Sequence, residues 1–588
     1  MMMKEPIIRR SKEEGGFVLI AVLLCIIVLS ILGAAFMALS MTEIQIAFNH
    51  RNATRALYVA EMAVERARRD IKYDADFDFD GITNQYFASP TPVAGGTPID
   101  CTATITWQGT PPQQRCYDLG GPIPAEPMVV PPYPADDIFF QTLYTNVNVD
   151  TYGDGSAYTL KLGLLNSNKM TIRAEGTGLL QSRKTVDVRV EVRPLSVWNN
   201  AVFTGGGGTG MRINGNALIA GSIHILGQGL GPAGTAADFG GGGGIFNWYN
   251  GLDPVFVGKL PNANPSTLDA EIRVKEGQIE MNSGDARAGN GTVDVDVDGN
   301  PIPAGIKRRI DGTYTEYGYS GSFGDQYVYS DNGLYAKYDL PADFNISFPS
   351  LTGPRPDALP GTYEDWLDAN SWDPVTAGAL VDPSATNGTD LTIYANTASF
   401  DVTDGMGNRL AFDPDPDADP STDDALLIVR GIIRIPGEII LGGTTGATKI
   451  ETINYTTMGV GGTLYAKKAG ANWSDDSTAG AHEVSITVNS SLLPLGIYPT
   501  VDTLGLLAKD RIVMARASKR VAAAVFAENQ VSITKQYQVV GAVVTRFFDL
   551  GAQVPRVYQM PNFVKYLPPG MPGGQVLNFV KILSWREI

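Results

Sequence analysis

A long apolar run near the start of the chain is followed by a periodic apolar stripe. Residues 17–41, FVLIAVLLCIIVLSILGAAFMALSM, contain no charged residue. As a helix this run would span roughly 35 Å, enough to cross the hydrocarbon layer of a bilayer. The preceding residues 1–16, MMMKEPIIRRSKEEGG, are polar and slightly basic, which favours the cytoplasmic side for that end. The pattern predicts a membrane-spanning segment over 17–41.

The helical pattern continues beyond this segment, because no Pro or Gly interrupts residues 42–72. Apolar residues recur there at spacings of four and three, which is typical of one face of an amphipathic helix. The stripe consists of Ala53, Leu57, Ala60, Val64, Ala67 and Ile71. We therefore predict one continuous helix over 17–72, apolar all round in its first half and amphipathic in its second. A single-pass anchor with a juxtamembrane stalk is the simpler alternative.

After residue 72 the chain changes to short strands and loops. In 184–193 valines alternate with charged residues, the period of two that is typical of a half-buried strand. Together with 158–164 and 170–176, this segment predicts an antiparallel sheet that packs on the amphipathic half of the helix. We expect this sheet to form a first β unit over 73–197. Cys101 and Cys116 lie in an inserted proline-rich loop, where an oxidising compartment would favour a disulfide between them over two free thiols.

Residues 198–588 are rich in glycine and contain several similar apolar pieces. GLLAKDRIVMA, AAAVFAENQVSI and GAVVTRFFDL begin roughly eighteen residues apart, which suits the rungs of a stacked β fold. We expect a large β domain, either a β-helix-like solenoid or a sandwich, with an irregular insertion over 245–425. The predicted fold class is therefore mainly β with one long N-terminal α-helix.

Composition narrows the range of functions. The 588-residue chain has a formal net charge of -17, which argues against a nucleic-acid partner because phosphate binding needs clustered Lys and Arg. The sequence contains no catalytic triad motif, and its 3 histidines do not have the spacing of metal ligands. His224 lies in an apolar strand and is expected to be a packed residue. We expect no enzymatic activity.

Two acidic loops match the first half of a calcium-binding loop, with alternating oxygen ligands followed by Gly. Neither loop is complete, since the twelfth positions are Phe87 and Gly305 instead of Glu. Calcium is the one cofactor that the sequence suggests, and a solvated acidic strand is the alternative for the second loop. The candidate ligands are Asp76, Asp78 and Asp80 in the first loop and Asp294, Asp296 and Asp298 in the second.

The N-terminal segment resembles a type IV prepilin, since Gly15 and Gly16 precede Phe17 and the long helix. Within that superfamily, residues 42–68 resemble the N-terminal domain of PilX-type minor pilins, with matching positions that include Glu43, Asn49, Asn52 and Glu61. The resemblance is specific over about the first seventy residues. It implies a leader over 1–16, cut after Gly16 by prepilin peptidase, and methylation of the new Phe17 amine. It also implies a single-pass inner-membrane location with a periplasmic C-terminal domain, followed by assembly with other pilins and minor pilins at the cell surface.

One position departs from the common pattern of the superfamily. Most major pilins carry Glu at the fifth mature position, which is Ala21 here. That carboxylate can neutralise the α-amine of a neighbouring subunit, since an unpaired buried charge costs several kcal/mol. The resemblance thus implies a structural minor pilin that primes or caps a type IV pilus. The alternatives are a type II secretion tip pseudopilin, a pilin-anchored surface adhesin, or a secreted protein whose signal is cleaved before Phe36.

Overall fold

The structure is a computed structural model of the whole chain. It describes residues 14–73, 105–106, 114–115, 141–149, 155–164, 169–179, 182–206, 211–213, 217–291, 298–333, 337–340, 346–357, 359–380, 386–416, 424–445, 448–471, 473, 483–550, 555–561, 563–574 and 577–588.

The chain is mostly β, with one long N-terminal helix. In chain order, the helices and strands are α1 (Glu14–Tyr73), β1 (Ile105–Thr106), β2 (Gln114–Arg115), β3 (Gln141–Asn148), β4 (Ala157–Leu164), β5 (Lys169–Thr177), β6 (Arg183–Leu195), β7 (Val202–Thr204), β8 (Met211–Ile213), β9 (Leu218–Ala220), β10 (Ile223–Ile225), β11 (Thr235–Phe239), β12 (Gly244–Phe246), β13 (Glu271–Val274), β14 (Gln278–Met281), β15 (Arg287–Ala288), β16 (Gly312–Thr315), β17 (Tyr319–Ser320), α2 (Tyr363–Asn370), β18 (Thr386–Asn387), β19 (Asp390–Ile393), β20 (Phe400–Thr403), β21 (Arg409–Asp413), β22 (Asp424–Ile435), β23 (Ile439–Leu441), β24 (Thr444–Thr445), β25 (Thr448–Lys449), β26 (Thr452–Thr456), β27 (Gly462–Ala466), β28 (Val484–Val488), β29 (Ser491–Pro494), β30 (Leu504–Ala508), β31 (Arg511–Met514), β32 (Lys519–Ile533), β33 (Tyr537–Asp549), β34 (Arg556–Gln559) and β35 (Leu577–Glu587).

The chain forms two compact units, of which the first comprises 1–193 and 578–588 and the second 194–577. In the first unit a five-stranded sheet has the order β3-β4-β5-β6-β35. β4, β5 and β6 pair antiparallel as the sequence predicted, and β3 pairs antiparallel with β4 in addition. Apolar side chains alternate with polar ones along these strands, so the apolar side chains share one face of the sheet, and this face packs against α1. The core of this face contains Leu160, Ile172, Ala174, Val186, Val188 and Val190.

The last strand corrects the expected domain boundary at residue 588. β35 is the neighbour of β6 in the first unit's sheet, and the Ile588 amide donates a hydrogen bond to the Thr185 carbonyl at 2.9 Å. The large β domain therefore does not extend to residue 588. The pairing joins segments almost 400 residues apart in sequence, and such a long-range contact leaves no local pattern.

The second unit is a solenoid of parallel strands, which confirms one of the two predicted architectures and excludes the sandwich. Each full turn contributes three short strands that pair in parallel with the next turn, as β7 does with β10 and β10 with β13. The apolar face of each turn is buried against its neighbours. The prediction of an irregular insertion over 245–425 was wrong in part, since β13, β14 and β16 within it pair in parallel as regular turns.

The order of turns along the solenoid differs from their order in sequence. The chain enters with β7–β9, continues through β10–β12 and β13–β15, and reaches one end at β16 and β17. It resumes at the other end with β19, which pairs in parallel with β23, and with β20 and β21, which pair antiparallel beside β22. From β22 and β23 it returns through β26–β28, β29–β31 and β32. β33 and β34 then pair in parallel with β7 and β9. The first and last turns in sequence are thus neighbours in the middle of the stack.

The segment that connects the two ends is fastened to the outer face of the solenoid. We call its described residues 337–340 and 346–357 the strap. At one end Asp339 accepts two hydrogen bonds from Arg273, both at 2.9 Å. Further along, the Phe348 ring stacks on Phe526 with centroids 5.7 Å apart. The strap therefore holds the two halves of the stack together.

Candidate functional site

The first half of α1 presents an exposed apolar surface. From residue 18 to residue 48 every side chain is exposed, and Phe36, for example, keeps 67% of its accessible surface. Within the described residues, one helix is long and apolar enough to cross a membrane, and it is this one. So large a contiguous apolar surface needs a lipid or protein partner.

The second half of α1 packs on the sheet of its own unit. Four stripe residues are buried as predicted, namely Ala60, Val64, Ala67 and Ile71. Ala53 and Leu57, at the start of the stripe, are only half-buried. Ala56, Val59 and Ala63 are buried in addition, because a helix on a sheet buries an apolar stripe wider than one row of side chains.

Close backbone contact holds this part of α1 to β5. A Cβ atom at Gly176 would lie 2.0 Å from the Ala56 carbonyl oxygen and 2.7 Å from the Ala60 nitrogen. Nearby, the Ser182 hydroxyl donates to the Asn52 carbonyl at 3.1 Å. No residue with a Cβ would fit in place of Gly176 without moving the backbone, so this glycine of β5 sets the helix–sheet distance.

The predicted assembly residues fall on different faces of α1. Ala21, Glu43 and Asn49 are exposed, and Glu61 is half-buried. Asn52 is 5% exposed and lies on the buried face, so it contributes to packing within the first unit. Gly16 and Phe17 lie within α1, and their side chains fall outside what the structure describes.

Of the predicted disulfide and calcium residues, Asp298 alone lies within the described part of the chain. Cys101, Cys116, Asp76, Asp78, Asp80, Asp294 and Asp296 all lie outside the described residues. Asp298 is described, and its carboxylate forms a bidentate pair with Arg556 at 2.8 and 2.9 Å. Hydrogen bonding to Arg556 lowers the pKa of Asp298. In the described part of the chain, no group of three or more His, Cys, Asp or Glu side chains is placed to hold a metal ion.

His224 is a packed residue, as the sequence predicted. It is 2% exposed, its Nε2 lies 2.9 Å from the Tyr338 hydroxyl of the strap, and its ring contacts Phe203 edge-on. Burial lowers the pKa of His224 well below its usual value, and the charges of Arg273 and Lys275 lower it further. The folded chain therefore holds this imidazole neutral.

Acid should destabilise the second unit through His224. The unfolded chain binds a proton at this residue below about pH 6.5, whereas the folded chain does not, so stability falls as pH drops through that value. We expect the native chain to lose about 1 kcal/mol more than His224→Gln between pH 7.5 and 5.5 in urea unfolding. Equal pH dependence of the two chains would contradict this assignment.

Comparisons with known proteins give a structural similarity but no match in sequence. No protein-family model matches the sequence, and no curated protein matches it. Among solved structures, the chain is similar to the crystal structure of the competence-associated pilin ComZ from Thermus thermophilus. The two share 17% sequence identity with a TM-score of 0.49, over 91% of this chain and 97% of that chain. At these values the likeness does not establish family or function.

Proposed function

We propose that the chain is a structural minor pilin that primes or caps a type IV pilus and displays its β solenoid outside the cell. The observation that supports this role most strongly is the division of α1 into two halves. Residues 18–48 are exposed and mostly apolar, whereas the buried residues of the second half pack on the chain's own sheet. The first half of the helix is therefore available to contact lipid or the helices of other subunits.

The exposed apolar part of α1 is longer than an anchor requires. Residues 18–48 would extend about 46 Å at 1.5 Å per residue, whereas the hydrocarbon layer is about 30 Å thick. Ile44, Ile46 and Phe48 at its far end remain exposed. A bundle of similar helices from other pilins would cover them, and this favours assembly over simple anchoring.

Ala21 supports a position at the end of the fibre. A subunit with Ala at this position offers no carboxylate to the α-amine of the subunit ahead, and a buried unpaired amine costs several kcal/mol. The position with no subunit ahead avoids that cost. In this role the chain needs other pilins as partners, the inner membrane as its first location, and prepilin peptidase for maturation.

The mature N-terminus tests the maturation step directly. We expect N-terminal sequencing of the chain from membranes of its host to begin at Phe17, with the amine methylated. Processing as an ordinary secretory protein would instead give a start at Phe36 and remove most of the apolar surface. That result would refute the proposed role.

Deletion of the gene that encodes the chain distinguishes the proposed role from its two nearest alternatives. We expect loss of surface pili in the deletion strain. Loss of type II secretion with normal pili would indicate a secretion pseudopilin, and normal pili with lost adhesion would indicate an adhesin. Both of those outcomes contradict a priming role.

A further inference from the structure

A cleft runs along one corner of the solenoid where several turns meet in the middle of the stack. It has a volume of about 720 Å³. Its floor includes a row of paired residues, since Arg520 lies opposite Gln538, Gln538 opposite Arg556, and Arg556 opposite Leu218. These pairs join β32, β33, β34 and β9, so the cleft crosses the junction between the last and first turns in sequence.

The length of the cleft follows from the spacing of the strands. Neighbouring strands lie about 4.8 Å apart, so the row from Arg520 to Leu218 covers about 14 Å. Gly242, from the turn before β12 in the next rung, extends the lining by one more spacing. An open cleft of this length suits a linear polymer better than a compact metabolite.

One wall of the cleft is a loop that the floor residues hold in place. Gln538 accepts a hydrogen bond from the Asp253 amide at 2.9 Å, and Arg520 donates to the Asp253 carboxylate at 2.6 Å. Arg556 donates to the Gly251 carbonyl at 2.6 Å. The wall is therefore fixed to three different strands, and the cleft is formed before any ligand arrives.

Each of the three cationic side chains in the lining is paired with a carboxylate. Arg520 is paired with Asp253, Arg556 with Asp298, and Lys519 with Glu451. Because the whole chain also carries a formal charge of -17, nothing in this cleft would attract an acidic polymer. Its ligand should be uncharged.

The groups at the rim suit hydroxyl-bearing ligands. The side chains of Ser518 and Gln536 are exposed, and they offer a hydroxyl and an amide that can each donate and accept hydrogen bonds. Leu218, Leu252 and Pro254 add apolar surface to the same cleft. Apolar contact combined with a few convergent polar groups is the usual composition of a binding site.

We propose that this cleft binds a neutral, linear oligosaccharide. Amide and hydroxyl groups at the rim would hydrogen-bond to sugar hydroxyls, and the apolar residues would contact the C–H faces of the rings. The proposal goes beyond the structural role of the chain and does not depend on it, since every residue of the cleft lies in the second unit.

Calorimetric titration of the detergent-solubilised full chain tests the proposal. The probes are cellohexaose, maltohexaose and chitohexaose, with an alginate hexamer as the acidic counterpart. We expect at least one neutral hexasaccharide to bind, and the double variant Ser518→Gly/Gln536→Ala to bind it about tenfold more weakly. Ser518 has a φ of 59°, so glycine is compatible with the backbone there.

Gln228→Ala is the matched control, because Gln228 is also exposed at a turn of the solenoid but lies outside the cleft. It should bind the neutral probe as the native chain does. The proposal is overturned if no neutral hexasaccharide binds, if the double variant binds as tightly as the native chain, or if the alginate hexamer binds more tightly than the neutral probes.

Discussion

Replacing Gly176 with alanine should detach α1 from its sheet and strongly destabilise the first unit. The added Cβ would lie 2.0 Å from the backbone oxygen of Ala56. Because that oxygen belongs to the backbone, no side-chain rotation can relieve the overlap. Close-packed interiors absorb such overlaps only by shifting backbone. We expect a loss of about 3 kcal/mol, at the upper end for overpacking.

Two other glycines provide graded controls for this substitution. At Gly178 an added Cβ would lie 2.9 Å from the Ser182 hydroxyl oxygen, a side-chain atom, so Gly178→Ala should have a smaller effect. At Gly258 an added Cβ meets nothing within 4 Å, so Gly258→Ala should be nearly neutral. Thermal unfolding and limited proteolysis of the solubilised chain measure all three. Equal stability of Gly176→Ala and Gly258→Ala would show that α1 does not contact β5 as described.

Replacing Arg273 with methionine should release the strap and destabilise the second unit. Arg273 is 4% exposed and lies between the carboxylates of Glu271 and Asp339, at 2.7 and 2.9 Å. Burial alone would lower the pKa of Arg273, but the two carboxylates together raise it. Removal of the guanidinium leaves buried negative charge without a partner, which costs about 3–5 kcal/mol.

A surface ion pair gives the matched control for Arg273. Arg409 pairs with Asp401 at 2.6 Å, and the Asp401 side chain is 54% exposed, so Arg409→Met should cost about 1 kcal/mol or less. The double variant Arg273→Met/Asp339→Asn should recover part of the stability, because it removes one of the two unpaired charges. Urea unfolding compares the four chains. The strap assignment fails if Arg273→Met costs no more than Arg409→Met.

The long periodic elements were predictable from the sequence, whereas long-range pairings were not. The stripe from Ala60 to Ile71 and the alternation of Val186, Val188 and Val190 each repeat often enough to define a buried face. β35 joins β6 across most of the chain, and nothing in its local sequence marks that partner. The close contact of Gly176 with α1 was not predictable either, because it depends on which element lies opposite the glycine in the folded chain.

The solenoid architecture was predictable from the sequence, but the order in which its turns stack was not. The apolar pieces near the C-terminus repeat at the spacing of successive turns, and this repetition predicted stacking. Any such turn can in principle stack on any other, so the pairing of Val543 with Val202 could not be derived from the repeats. Strands such as β15 and β17 have two residues each, which is too short for a periodic signal.

The central claim is that the exposed half of α1 enters a fibre made of similar helices. Surface fibres sheared from the native host and labelled with gold-conjugated antibody against the solenoid test it most directly. We expect the label in the fibre fraction, at one end of each fibre. Label along the shafts would contradict the end position, and a chain that stays wholly in the membrane while fibres form would contradict the claim itself.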